Sequence, residues 1–238
     1  MFSREASTVA VLSVLALCAL ARPARAQAEN FDTTPAGALP PRWSTSTLVP
    51  APIIWNARAE NPRSAPNALV LITIRDNTTS EATSPGYVVP ASGRLRLRFY
   101  KAYQLETRVD GMRLKMSVDG GPFTDIETAG GAFIAGGYTP RPGGGSYGYW
   151  TDRAAAYSET IAETPTLIPG QQVRFRWEAF FDNSIRWSNL HIDDVEVTAA
   201  APPPPAIPTM TEWAMMLLGT ALAGGTALHL NRRRNRGA

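Results

Sequence analysis

The chain holds 238 residues, 44% hydrophobic and 18% charged, which suits one medium domain with short appendages and excludes wholesale disorder. One cysteine and two histidines exclude a disulfide framework, a zinc knuckle and a His-rich metal centre. The formal charge of +3 belongs to the ends, since residues 1–26 carry three arginines and one Glu and residues 207–238 four arginines and one Glu. The 16 basic and 18 acidic side chains between them give nucleic acid no basic face to bind.

Residues 1–26 read as a secretory signal. Arg4 precedes an apolar run from Val9 to Leu20, the length of a signal-peptide core and too short to span a bilayer. Ala24-Arg25-Ala26 supplies a small-x-small site, so cleavage is expected before Gln27; Ala26-Gln27-Ala28 is the neighbouring alternative. Left uncut, the same run is an N-terminal anchor. Leu17 before Cys18 is not the small residue that lipidation requires, and cleavage after Ala26 leaves no cysteine.

From Glu29 to Thr198 short β-like runs alternate with turn-rich stretches, without a long 3.6-residue periodicity. Ala68–Thr73 is a short continuous apolar run. Leu95, Leu97 and Phe99 oppose Arg94, Arg96 and Arg98, while Met112, Leu114, Met116 and Val118 oppose Arg113 and Lys115. Val173, Phe175, Trp177, Ala179 and Phe181 oppose Arg174, Arg176 and Glu178. Alternation with period two marks strands with one buried face. Asp119-Gly120-Gly121 predicts a hairpin turn between Val118 and Phe123, because glycine tolerates the positive φ of a tight turn. The expected fold is mainly β, a single antiparallel β-sandwich of jelly-roll form over 27–198.

Three local features bear on chemistry. The seven cationic side chains of the alternating strands form either a basic stripe for an acidic polysaccharide or an ordinary solvated sheet face. In the loop Gly143–Trp150, the rings of Tyr147, Tyr149 and Trp150 either stack on a ligand such as a sugar or fold down as a lid on the core. In the last strand Leu190 and Ile192 have one parity and Val195 and Val197 the other. That strand is either buried on both faces or bulged at Asp193-Asp194, where a bulge re-aims the carboxylates.

The C-terminal part follows a different pattern. A linker, 199–206, contains the proline tract Pro202–Pro205 and favours an extended spacer. Then come Ile207, Pro208, Thr209, Met210, Glu212 and Trp213, an apolar stretch 214–230, and the basic tail Arg232, Arg233, Arg234 and Arg236. As a helix the apolar stretch measures about 25 Å, enough to reach across a hydrocarbon layer with local thinning. Trp213 stands at one interface, and the arginines hold the other end in the cytoplasm. This order resembles the IPTL-CTERM protein-sorting signal of Gram-negative bacteria over 207–236, with Met210 for the family's Leu and Ala214 for its Gly. The resemblance implies recognition by an exosortase-like membrane protease; a plain membrane anchor is the alternative.

Asn30-Phe31-Asp32, Leu39-Pro40, Trp43, Asp110-Gly111, Ser117–Ile126, Gly136-Gly137-Tyr138 and His191–Val197 together resemble the bacterial choice-of-anchor J and MAM-like jelly-roll domains. That resemblance implies an exported, non-catalytic module presented at the cell surface. By analogy with related jelly rolls it also implies a structural calcium ion, with Glu29, Asp32, Asp193 and Asp194 as hard oxygen ligands; solvated carboxylates are the alternative. Catalytic signatures are missing: the body's one histidine is His191, and no His-Glu-x-x-His, Gly-x-Ser-x-Gly or phosphate-cradling glycine loop occurs. The expected function is therefore binding of carbohydrate or protein in adhesion, with a structural role in the envelope or extracellular matrix as the alternative and, behind it, a glycan-active enzyme built on two acids brought together by the fold.

Overall fold

The computed structural model describes residues 26–48, 54–73, 77–182 and 188–201, together with Ala214, Met215, Leu217 and Leu218. The signal peptide core, the proline tract, the sorting motif Ile207, Pro208, Thr209, Met210 and Trp213, and the arginines at 232–236 lie outside the described residues. Of the expected membrane helix 214–230, the four described residues are helical and exposed. Among the described residues no helix is long and apolar enough to cross a membrane. The chain forms two compact units, Met1–Ala201 and Pro202–Ala238.

The first unit is built of β-strands: β1 (Gln27–Glu29), β2 (Ser44–Thr47), β3 (Asn56–Arg58), β4 (Ala68–Thr73), β5 (Thr78–Thr83), β6 (Tyr87–Val88) and β7 (Leu95–Gln104). They continue with β8 (Gly111–Val118), β9 (Thr124–Asp125), β10 (Ala132–Ala135), β11 (Arg153–Glu163), β12 (Gln172–Phe181) and β13 (Ser188–Ala199). One sheet runs β10-β11-β7-β13-β4-β3, with β1 beside β13; the other runs β2-β5-β12-β8-β9, with β6 beside β12. Every pairing is antiparallel. The period-two faces account for this arrangement: each long strand buries its apolar parity against the opposite sheet and leaves its charged parity outside.

Aromatic rings link the two layers. Trp177 of β12 stacks on Trp43 at 5.6 Å and meets Phe99 of β7 edge-on at 5.3 Å; Phe31 meets Trp43 at 5.4 Å. The Asp119-Gly120 pair has positive φ at both residues and closes the β8–β9 hairpin, as the sequence predicts. In β13 the pairing with β7 shifts register between Asp193 and Glu196, and Asp194 has φ 48°. Both sequence alternatives are realised here. The bulge swaps parity so that Leu190, Ile192, Val195 and Val197 all reach the core, while residues 60–64 cover the other face at His191 and Asp193.

Candidate functional site

Trp150 is 1% exposed and serves as a core lid rather than a surface contact. Its ring packs edge-on against Tyr138 at 4.9 Å, Phe133 at 5.5 Å and Phe99 at 5.9 Å, and its Nε1 donates to Gly137 O at 2.7 Å. That anchor carries Tyr147 and Tyr149 onto the outer face of the β12–β8 sheet, where both stay half-buried. Their rings lie 5.8 Å apart, the Tyr149 ring meets Phe180 edge-on at 5.1 Å, and Tyr149 OH donates to Arg108 O at 3.2 Å. Phe180 pairs with Gly111 across β12 and β8. A Cβ at Gly111 would collide with both rings, so glycine is what lets them approach the strand this closely. Phe180 was accessible from sequence: it falls on the parity of Arg174, Arg176 and Glu178, an aromatic residue among charges.

Arg113 stands beside this platform. Its guanidinium carbon is 4.9 Å from the centre of the Phe180 ring and 5.8 Å from that of Tyr149, and its Nε is buried without a hydrogen-bond partner. The basic stripe does not form as one surface. Arg94, Arg96 and Arg98 belong to the first sheet, and Arg113, Lys115, Arg174 and Arg176 to the second. Most of them are matched by acids: Arg94 and Arg96 by Glu163 at 2.7 and 2.6 Å, Arg98 by Glu196 at 2.5 Å, Lys115 by Glu178 at 2.5 Å, and Arg176 by Glu81 at 2.9 Å. Such pairs across half-exposed strands contribute little individually and leave most of the face electrically balanced.

The four carboxylates expected to hold calcium are engaged by protein donors. Asp193 is fully buried and accepts from the backbone N–H of Arg63 at 2.8 Å, of Ser64 at 3.0 Å and of Asp194 at 2.8 Å. Burial outweighs these bonds and pushes its pKa up to about 6. Asp194 pairs with the Arg63 guanidinium and accepts from Ser64 Oγ at 3.1 Å. Glu29 accepts from Phe31 N at 2.8 Å, and Asp32 from Asn30 Nδ2 at 2.6 Å. Glu29 and Asp194 do line one cavity of about 320 Å³, shared with Arg63, Arg98, Tyr100 and Glu196. The charge that adjacent acids need is thus supplied by arginine. Among the described residues, the three acids that bring oxygens within 4.8 Å of one another are Glu106, Asp110 and Asp182, of which Asp110 is buried.

A second cavity of about 410 Å³ lies over the first sheet, lined by Glu60, Asn61, Ile72, Gln104, Asn189 and His191 among others. Burial holds His191 below its ordinary value, and its Nδ1 is buried without a partner.

No family model matches the chain, and no curated protein matches it. Among solved structures it is similar to TmCBM61, in complex with beta-1,4-galactotriose, at 14% identity and a TM-score of 0.46, over 72% of this chain and 99% of that one. The K1 cleaved adhesin domain of Lys-gingipain from Porphyromonas gingivalis W83 aligns at 13% identity and a TM-score of 0.48, covering 74% of this chain and 99% of that one. The CBM22-1 xylan-binding domain of Paenibacillus barcinonensis Xyn10C aligns at 8% identity and a TM-score of 0.43, covering 76% and 99%. At such identities no residue role passes from these domains to this chain.

Proposed function

We propose that this chain is an exported, surface-displayed and non-catalytic β-sandwich of jelly-roll form that binds a carbohydrate chain on the outer face of the β12–β8 sheet. One observation carries the proposal: three aromatic rings, Tyr147, Tyr149 and Phe180, stay half-exposed and mutually braced on a face otherwise made of charged side chains. Sugar rings present apolar C–H faces and polar edges, and an aromatic platform with a neighbouring guanidinium complements both. Export rests on the N-terminal signal, and display on the IPTL-CTERM-like tail, the membrane and an exosortase-like protease. Asp193 and Asp194, the acids expected to hold calcium, already accept from Arg63, Ser64 and backbone N–H groups.

A glycan array with the full-length protein tests the platform. Binding that disappears in Tyr149→Ala and Phe180→Ala, with the melting temperature retained, is the expected result. Binding indifferent to both substitutions rules the platform out. The structural role in an envelope or matrix is favoured by one separate observation: β10 ends its sheet with Ile134 57% exposed, an edge open to pairing with another chain. Concentration-dependent self-association without glycan binding would support that role instead.

A further inference from the structure

The outer face of the β12–β8 sheet carries a charge imbalance with a definite position. Glu178 is taken by Lys115 at 2.5 Å; Glu81 is taken by Arg176 at 2.9 Å and accepts from Ser46 Oγ at 2.6 Å. Two cations of the face are then left without an acid among the described residues, Arg113 and Arg174. Arg174 has only the carbonyl of Ser84, which accepts from its Nε at 3.3 Å. Arg113 lies against the Phe180 and Tyr149 rings, and its Nε has no acceptor at all. A half-desolvated guanidinium without a counter-ion interacts more strongly with an arriving anion than one already paired.

The two are also aligned. Arg113 pairs with Glu178 in the β12–β8 register, four residues along β12 from Arg174, which places the two rows about 14 Å apart at strand rise. The acids Glu106, Asp110 and Asp182 gather beyond the opposite end of the platform, past Phe180. Read along β12, the face therefore runs from acids, through the rings, to two unmatched arginines.

Given the carbohydrate platform proposed above, on which this step rests, we infer that its ligand class is an acidic polysaccharide. Sugar rings stack on Tyr147, Tyr149 and Phe180, and successive carboxylates lie along β12 toward Arg113 and Arg174. The recognising chemistry is the guanidinium–carboxylate pair, which a planar fork makes bidentate.

Affinity electrophoresis of the full-length protein through polygalacturonate and through its fully methyl-esterified form tests this, since the two polymers share a backbone and differ in charge. The expected result is about tenfold tighter binding to the acid form at low salt, a difference that shrinks as salt screens the pair. Arg113→Met, which keeps the stem on the Phe180 ring, and Arg174→Met should each reduce the preference. Should Arg113→Met fail to fold, Arg174→Met gives the same readout from the other end of the row. Equal retardation by both polymers, still abolished by Tyr149→Ala, overturns the acidic class and leaves the platform standing. Acid-selective retardation that survives both methionine variants also overturns it. Retardation by neither polymer, or retardation unmoved by Tyr149→Ala, overturns the platform and this inference together.

Discussion

Lys101 falls on the inward parity of β7, with Phe99 and Tyr103, and is 2% exposed. Among the described residues no carboxylate meets it; Thr160 Oγ1 at 2.6 Å and Gly136 O at 3.1 Å accept from its ammonium, which lies 4.9 Å from the Trp150 ring centre. Burial lowers its pKa from 10.5 to about 8. Between those values the unfolded chain binds more protons than the folded one, so stability rises with pH. We expect a gain of about 1 kcal/mol from pH 8 to 9. The slope then reverses near pH 10, because Tyr87, pushed up to about 12 by burial, and Tyr138 and Tyr157, pushed higher still, keep their protons in the fold. Thermal melts across this range should show the rise in the natural chain and none in Lys101→Met; a flat profile in the natural chain contradicts the buried-ammonium account. Trp150 and Tyr149 are neighbours in sequence with opposite roles, one in the core and one on the platform. Denaturant unfolding should therefore give a loss of roughly 3–5 kcal/mol for Trp150→Ala and under about 1 kcal/mol for Tyr149→Ala. Similar losses for the two would mean that both rings serve the core.

At the scale of elements, β13 shows how a sequence irregularity becomes a device. The bulge at Asp193–Asp194 turns both carboxylates toward residues 63–64; Asp193 accepts from the N–H groups of Arg63, Ser64 and Asp194, and Tyr157 OH donates to Asn61 O at 2.9 Å. Asp193→Ala leaves those donors without their acceptor in a covered place, which costs on the order of 2–3 kcal/mol and releases the segment. Limited proteolysis should then cut near Arg63 well before the sheets unfold. Equal resistance in both proteins would show that Tyr157 and the Arg63–Asp194 pair hold the segment unaided. β13 was legible in part, since its broken parity announces a bulge, but which loop covers the bulge depends on contacts 130 residues away in sequence. β7, β8 and β12 were legible from alternation alone. β11 was not: Arg153–Glu163 is rich in alanine and carries a register irregularity between Ala154 and Ser158. Its extended state comes from lying between β7 and β10, so tertiary pairing overrides a weak local preference. The site divides in the same way. Tyr147, Tyr149 and Phe180 are visible as aromatics in unusual places, whereas the solitary state of Arg113 depends on diagonal side-chain pairing: Glu178 lies opposite Arg113 in register, yet it pairs with Lys115, and Glu81 pairs with Arg176.

For the whole molecule, the registers of β1 and β13 bear on how the chain is processed. β1 begins at Gln27, opposite Val197, directly after the expected cleavage site. A cut after Ala26 preserves all three β1 pairs, whereas a cut after Ala28 removes two of them and strips Val197 and Glu196 of their edge partners. The antiparallel register also brings the start of the sandwich beside its last strand, and Ala200 is still tied in, its N–H donating to Arg94 O at 3.0 Å. Trimming beyond residue 201 should therefore leave the sandwich intact, while trimming into β13 should not. In a host with an exosortase-like protease, the intact mass of the mature protein should correspond to a chain from Gln27 to near Thr209. Without the protease, Arg232–Arg236 should remain and the protein should partition with membranes. A mature chain that starts at Glu29 would contradict the pairing argument, and a full-length polypeptide recovered from cytosol in both hosts would contradict export itself.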